Sequence, residues 1–447
     1  MNNAQDIKMY EEYAESVFTD KEYGEAAARY EELCRQLGDR GKIKYFQRMV
    51  AAYRNAGRAE EIPDALKRTS SAEAKEAEKS YQLVKVGSVD KAYEVFSSLI
   101  NNIFSEKQVA NIWIDGYSFI CGLFNEDFNP EVNNITSSQI DHYKPIKKVI
   151  ASGMGWSGSG AIYDYFKEFT EVTPFELKYE FGLIESKPSL LAIKNSAVSF
   201  KQFRNVLLDF FGVALLGFAD YDSYPKWKRG RVARIMSLSQ KKLEYAIIVR
   251  HFLKGMSDVW SGKIFNEKLF RKAATNLVDE IAMLFSRKEN HIILLDNVIH
   301  IYNVEAIELL DEALLLCVFR DPRSNFVARK NEDPKFDSNV ESYINNYKMQ
   351  RKKFDQALNS LQHNKDKVHV IQFEDFVLDE EYRTNLAVKI GLDLSTQSKF
   401  KYFKPWESKK NFFLHESYEK QDEIKAIEDA LPEYCIDVQK LKDEKQT

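Results

Sequence analysis

The segment Ile150-Ala-Ser-Gly-Met-Gly-Trp-Ser-Gly-Ser-Gly-Ala-Ile-Tyr-Asp-Tyr-Phe166 decides the fold. It reads as an apolar strand, a tight loop and a helix over about Ser159–Phe169. Gly153, Gly155, Gly158 and Gly160 let a ligand approach the backbone closely, and Ser157 and Ser159 add hydroxyls. Consecutive N–H groups at a helix N-terminus attract an anion, so phosphate is the natural guest. Four glycines and three serines within the nine residues 152–160 exceed what a bare turn needs.

Downstream, strand signals recur at His291–Asp296, Leu314–Arg320 and Val368–Phe373. Helical patterns separate them, roughly at Phe200–Leu216, Arg231–Met256, Asn266–Ser286, Ser338–Leu361 and Glu380–Ile390. Strands alternating with helices predict an α/β domain with a mainly parallel sheet, here of the P-loop type.

The kind of phosphate follows from what surrounds the glycines. A Walker A loop ends in Gly-Lys-Ser/Thr, but Ser159 stands where the lysine belongs. A nucleoside triphosphatase is disfavoured on that ground. Gly153, Gly155 and Gly158 also satisfy the dinucleotide spacing, with Glu171 or Glu176 as the distant acid. Nothing else in the chain supports nicotinamide chemistry.

The pattern G-x-x-x-S-G-S after a strand resembles the 5′-phosphosulfate loop of sulfotransferases that use 3′-phosphoadenylyl sulfate (PAPS). Leu315-Leu-Cys-Val-Phe-Arg320-Asp321-Pro322-Arg323-Ser324 is similar to the family's 3′-phosphate segment. Phe373-Glu374-Asp375-Phe376 and Lys404-Pro-Trp-Glu-Ser408-Lys409-Lys410-Asn411 resemble two later segments, the second a basic loop over the nucleotide. The resemblance covers roughly Lys147–Tyr418 and is nearest to bacterial sulfotransferases of surface polysaccharides. It implies PAPS as sulfuryl donor, no metal, and a glycan hydroxyl as acceptor. It assigns the donor to Gly155, Trp156, Ser157, Gly158, Ser159, Gly160, Ala161, Arg320, Ser324, Lys409, Lys410 and Asn411.

Two positions depart from that family. Trp156 stands where many members carry a Lys or Arg that reaches the transferring group. Ala328 stands where many carry a 3′-phosphate serine, with Ser324, Arg323 and Arg329 as substitutes. Lys409, Lys410 or backbone N–H groups would then supply the missing charge. The resemblance also implies a glutamate base after the first helix: Glu180 first, Glu176 second, with Lys178 between them to tune their pKa or meet an acidic acceptor. Asp296 and His300, at a strand's carboxyl end, fall where acceptors sit in the family. Glu374-Asp375 reads as a loop cap. The basic run Lys226–Arg234, with Trp227 inside it, reads as a solvated helix start or an anionic-substrate patch.

The first ~110 residues read as helices only. Ala26, Tyr30 and Leu33 recur as Ala92, Phe96 and Leu99 at an offset of 66. Halfway, at 33, stand Ala59, Pro63 and Leu66. The period resembles that of tetratricopeptide repeats, which dock proteins or self-associate. The expected division is an all-α repeat domain over 1–124, a polar linker over 125–146 and the α/β domain over 147–447.

Composition narrows the rest. Among 447 residues, 64 Lys+Arg face 68 Asp+Glu, a net charge of −4 that does not suit a dedicated nucleic-acid binder. Thirty Phe and 23 Tyr exclude low-complexity disorder for most of the chain. Cys34, Cys121, Cys317 and Cys435 are too scattered for a zinc ribbon or disulfide frame. The longest apolar run, Ala313–Phe319, has seven residues, so no transmembrane span is expected. With no leader evident, the expected location is cytoplasmic, with peripheral contact at an inner membrane as its variant. A P-loop kinase-like phosphotransferase and a non-catalytic nucleotide-binding scaffold are the competing functions.

Overall fold

A computed structural model of the chain describes residues 4–38, 43–69, 73–128, 145–175, 182–185, 188–216, 241–260, 264–284, 292–332, 339–361 and 364–437. It divides into two compact units, 1–141 with 186–273, and 142–185 with 274–447. The stretch 186–273, expected within the α/β domain, therefore groups with the N-terminal helices.

The second unit is built on five strands: β1 (Lys147–Gly153), β2 (Val172–Pro174), β3 (Ile292–Asp296), β4 (Ala313–Phe319) and β5 (Val368–Gln372). All pairings are parallel, in the order β2-β3-β1-β4-β5. Parallel sheets are covered on both faces, which explains why β4 is apolar throughout and why the middle five residues of β1 are buried. β2 has only three residues and carries Pro174 at the sheet edge, where a missing N–H is tolerated. That length leaves no alternation to detect, so sequence patterning misses it.

Register aligns Ala151 with Asp296 and Gly153 with Val318. β1 thus lies between β3 and β4, and the chain leaves it toward one side first and the other later. Open parallel sheets bind ligands outside the carboxyl ends of the strands at such a reversal. Helix Ser159–Phe166 follows β1 and packs Ile162, Tyr165 and Phe166 against Leu294, Leu316, Phe373 and Phe376. At the amino end of β1, Lys148 is fully buried and donates to Asp279 Oδ1 at 2.6 Å.

The first unit contains α1 (Ala4–Thr19), α2 (Tyr23–Leu37), α3 (Ile43–Asn55), α4 (Ile62–Lys67), α5 (Glu73–Lys85), α6 (Val89–Ile103) and α7 (Lys107–Phe124). Ala26, Tyr30 and Leu33 on α2 are buried, as are Ala92, Phe96 and Leu99 on α6, so the 66-residue offset marks equivalent faces. The connecting turns repeat as well. Glu22 N–H donates to Val17 O, Arg58 N–H to Tyr53 O and Ser88 N–H to Leu83 O, each six-to-one closure following a left-handed residue. Those residues are Lys21, Gly57 and Gly87, at φ +65°, +73° and +82°. Pro63 sits in the first turn of α4, which has only six residues. The segment after 186 adds helices Phe200–Asp209 and Lys242–Val259, and Phe211 and Tyr245 pack near Trp113 of α7.

Among the described residues, no helix is long and apolar enough to cross a membrane. The linker residues 129–144, the basic run with Trp227, and Glu176, Lys178 and Glu180 lie outside the described residues.

Candidate functional site

The glycine loop runs from the carboxyl end of β1 into its helix. Trp156 and Gly158 both take left-handed backbone, at φ +64° and +95°. Gly158 is also required by packing, because a Cβ there would lie 2.2 Å from the Phe373 ring. A Cβ on Gly155 or Gly160 would meet nothing within 4 Å. Gly153 is required as well, since a Cβ there would lie 2.0 Å from Ser157 Oγ, so the fold explains two of the four glycines and, among the described residues, leaves open space beside the other two. Ser157 N–H closes the turn onto Met154 O at 2.8 Å. The buried Ser157 Oγ has no hydrogen-bond partner among the described residues.

Arg320, just past β4, reaches across this loop. Its Nη1 donates to Trp156 O at 3.1 Å and its Nη2 to Asn411 O. Its buried Nε has no partner among the described residues. Among the described residues no carboxylate lies within ion-pair distance of it, although it is 5 % exposed. Burial pulls the guanidinium below its ordinary value, while the more distant Glu374 and Asp321 carboxylates act the other way. A buried cation held by neutral carbonyls, with N–H donors to spare, can accept an anion.

The surroundings hold this arrangement in place. Asn325 Nδ2 donates to Gly155 O at 3.0 Å, and Tyr343 Oη lies 3.1 Å from Asn325 Oδ1. Glu374 caps the turn after β4 by accepting from Asp321 N–H at 3.1 Å. Burial raises the Glu374 carboxyl to about 7. Arg323 is committed to Asp321, Glu428 and Ile436 O. Arg329 places its guanidinium 5.5 Å from the centre of the Trp156 ring, which brings a cation next to that position.

The structure thus joins Trp156, Arg320 and Asn411, which lie far apart in sequence. Ser324 donates instead to Phe412 O and lies 2.8 Å from His415 Nδ1, so its hydroxyl tethers the 411–415 segment. Lys409 and Lys410 are exposed, and Lys410 pairs with Glu407 at 2.7 Å.

On the β3 side, the turn after Asp296 is tied to the loop. Asn297 Oδ1 accepts from Gly153 N–H at 3.1 Å, and Ser152 Oγ donates to Ile299 O. Asp296 itself accepts from Asn297 Nδ2 at 3.0 Å, a local contact. His300 follows, with Nδ1 against the buried Glu185 carboxylate and its own N–H on Glu185 Oε2 at 2.8 Å. A carboxylate on one ring nitrogen orients the imidazole and leaves Nε2 for proton transfer. Sequence reading picks out Asn297 with Asp296 by their place at a strand end, and misses Glu185 and Asn325, which carry no positional signal.

No protein-family model matches the chain, and no curated protein or solved structure is significantly similar to it.

Proposed function

We propose that the second unit binds a phosphorylated nucleotide at the carboxyl end of β1. More specifically, we read it as a PAPS-dependent sulfotransferase acting on a hydroxyl of a glycan, with a P-loop-type glycine turn and tetratricopeptide-like helices that recruit a protein or a second copy. The observation that carries this reading is Arg320: a buried guanidinium with no carboxylate at ion-pair distance among the described residues, bridging the glycine loop and Asn411. The unpartnered Ser157 Oγ and Arg320 Nε and the open space at Gly155 and Gly160 fit a phosphate guest.

When bound, PAPS supplies a sulfuryl group whose transfer to the acceptor oxygen expels the bisphosphate. The chain's own work is positioning and charge stabilisation. The first-turn N–H groups of the helix at Ser159 and Gly160, with Arg320, hold the phosphate groups. Arg329, beside the Trp156 ring, and Lys409 would supply positive charge to the donor's phosphates. A base must take the acceptor proton. Glu180 and Glu176 hold that role by resemblance. His300, oriented by Glu185, is the candidate the described geometry adds.

Calorimetry with adenosine 3′,5′-bisphosphate, ATP and NAD tests the reading. Selective binding of the bisphosphate is expected; its absence would sink the proposal. A non-catalytic nucleotide-binding scaffold is favoured by one observation, Trp156 in place of a loop cation. Bisphosphate binding without turnover of PAPS on any hydroxyl acceptor would decide for it.

A further inference from the structure

Residues 399–410 (KFKYFKPWESKK) hold five lysines against one acid, and three exposed aromatic rings. Phe400, Tyr402 and Trp406 are 47 %, 41 % and 50 % exposed. Phe403 between them is buried and anchors the segment. The exposure is built rather than incidental. Glu168, nearly fully buried, accepts from Tyr402 N–H and Phe403 N–H at 3.0 Å each. It also accepts from Gln397 Nε2 at 3.0 Å, and its carbonyl takes Ser398 N–H at 2.8 Å. Phe400 is held at φ +65°, a conformation that costs a bulky residue free energy. Its ring lies 5.2 Å from Trp406, tilted by 53°.

Around this wedge Lys399 pairs with Glu380 and Lys410 with Glu407. Lys401, Lys404 and Lys409 are in no ion pair among the described residues. We infer that this segment docks the protein on a bilayer surface rich in anionic lipid, with Phe400 and Trp406 entering the headgroup boundary and Lys401 and Lys404 facing the lipid charges. Aromatic side chains favour that boundary, and clustered lysines favour anionic headgroups. The tilt of the two rings offers no flat platform for a sugar ring, and the unpaired lysines repel a second copy. The inference stands independently of the sulfotransferase reading.

The test is co-sedimentation of the full chain with phosphatidylcholine vesicles, with and without phosphatidylglycerol. Sedimentation is expected only with the anionic vesicles and should weaken at high salt. Lys401→Gln and Lys404→Gln should each reduce it about fivefold. Phe400→Gly with Trp406→Ser should abolish it. Glycine suits the backbone at 400, so an unchanged melting temperature for Phe400→Gly alone separates lost docking from lost folding. Equal sedimentation with both vesicle types, none with either, or wild-type behaviour of the double variant overturns the inference. So does a shift of these variants' effect to heparin retention or to a dimer instead of vesicle binding.

Discussion

Arg320 Nη1 donates to the carbonyl of Trp156 at 3.1 Å, tying the turn after β4 to the glycine loop after β1. The bond joins the two segments that the proposed nucleotide would bridge. It also leaves a buried positive charge unneutralised by any carboxylate among the described residues.

Replacing Arg320 by Ala should therefore weaken adenosine 3′,5′-bisphosphate binding by about 1.5–3 kcal/mol, the worth of a charge-assisted hydrogen bond. Titration calorimetry reads it directly. An unchanged affinity would remove Arg320 from the site.

His300→Asn and Glu185→Gln should spare bisphosphate binding and lower turnover, the first more than the second, because Glu185 acts only by orienting the ring. Glu180→Gln is the comparison. Full loss of turnover in Glu180→Gln with full activity in His300→Asn would assign the base to the glutamate.

Glu374 makes stability depend on pH. Its folded carboxyl is raised to about 7 by burial. Between the ordinary glutamate range and that value, the folded chain keeps a proton that the unfolded chain has released. Stability should fall as pH rises through this window, by about 3 kcal/mol. Glu374→Gln should flatten the slope in urea melts taken from pH 4.5 to about 8. Parallel curves for the two proteins would contradict the burial argument.

The Lys148–Asp279 pair is fully buried on both sides. Asp279→Asn leaves the ammonium without its counter-charge and should cost about 3–5 kcal/mol. Lys148→Met combined with Asp279→Leu should recover most of that loss. A double variant as weak as the single one would show that the hydrogen bonds of the two side chains to the Ile146 backbone, not the charge pair, govern the position.

Lys21 occupies a left-handed turn position that glycine fills at Gly57 and Gly87. Lys21→Gly should raise stability by about 0.5–1 kcal/mol, since the backbone strain of a side chain at that φ is removed. A lower melting temperature would mean that the lysine side chain contributes more than its strain costs.

Local patterning by itself determines much of this fold. Apolar runs located β3 and β4, because strands buried on both faces need continuous hydrophobicity, and shorter apolar stretches located β1 and the edge strand β5. The small–aromatic–leucine spacing located the equivalent faces of α2 and α6, because close helix pairs require it. The glycine loop was legible for the same reason: its backbone demands are written in residue type. Tertiary structure alone decided what these pieces do together. The pairing of Val172 with Ile292 makes a strand of three residues that carry no period of their own. The grouping of 186–273 with the N-terminal helices depends on long-range packing. So do Asn325 on Gly155, Asn297 on Gly153 and Glu185 on His300, ordinary polar residues until the fold brings each to its partner. Ser324 shows the converse, a residue whose sequence position suggests a phosphate ligand and whose hydroxyl is spent on Phe412 O. Hydrogen-bond partners so far apart in the chain leave no local trace, because only the assembled sheet sets the distance between them.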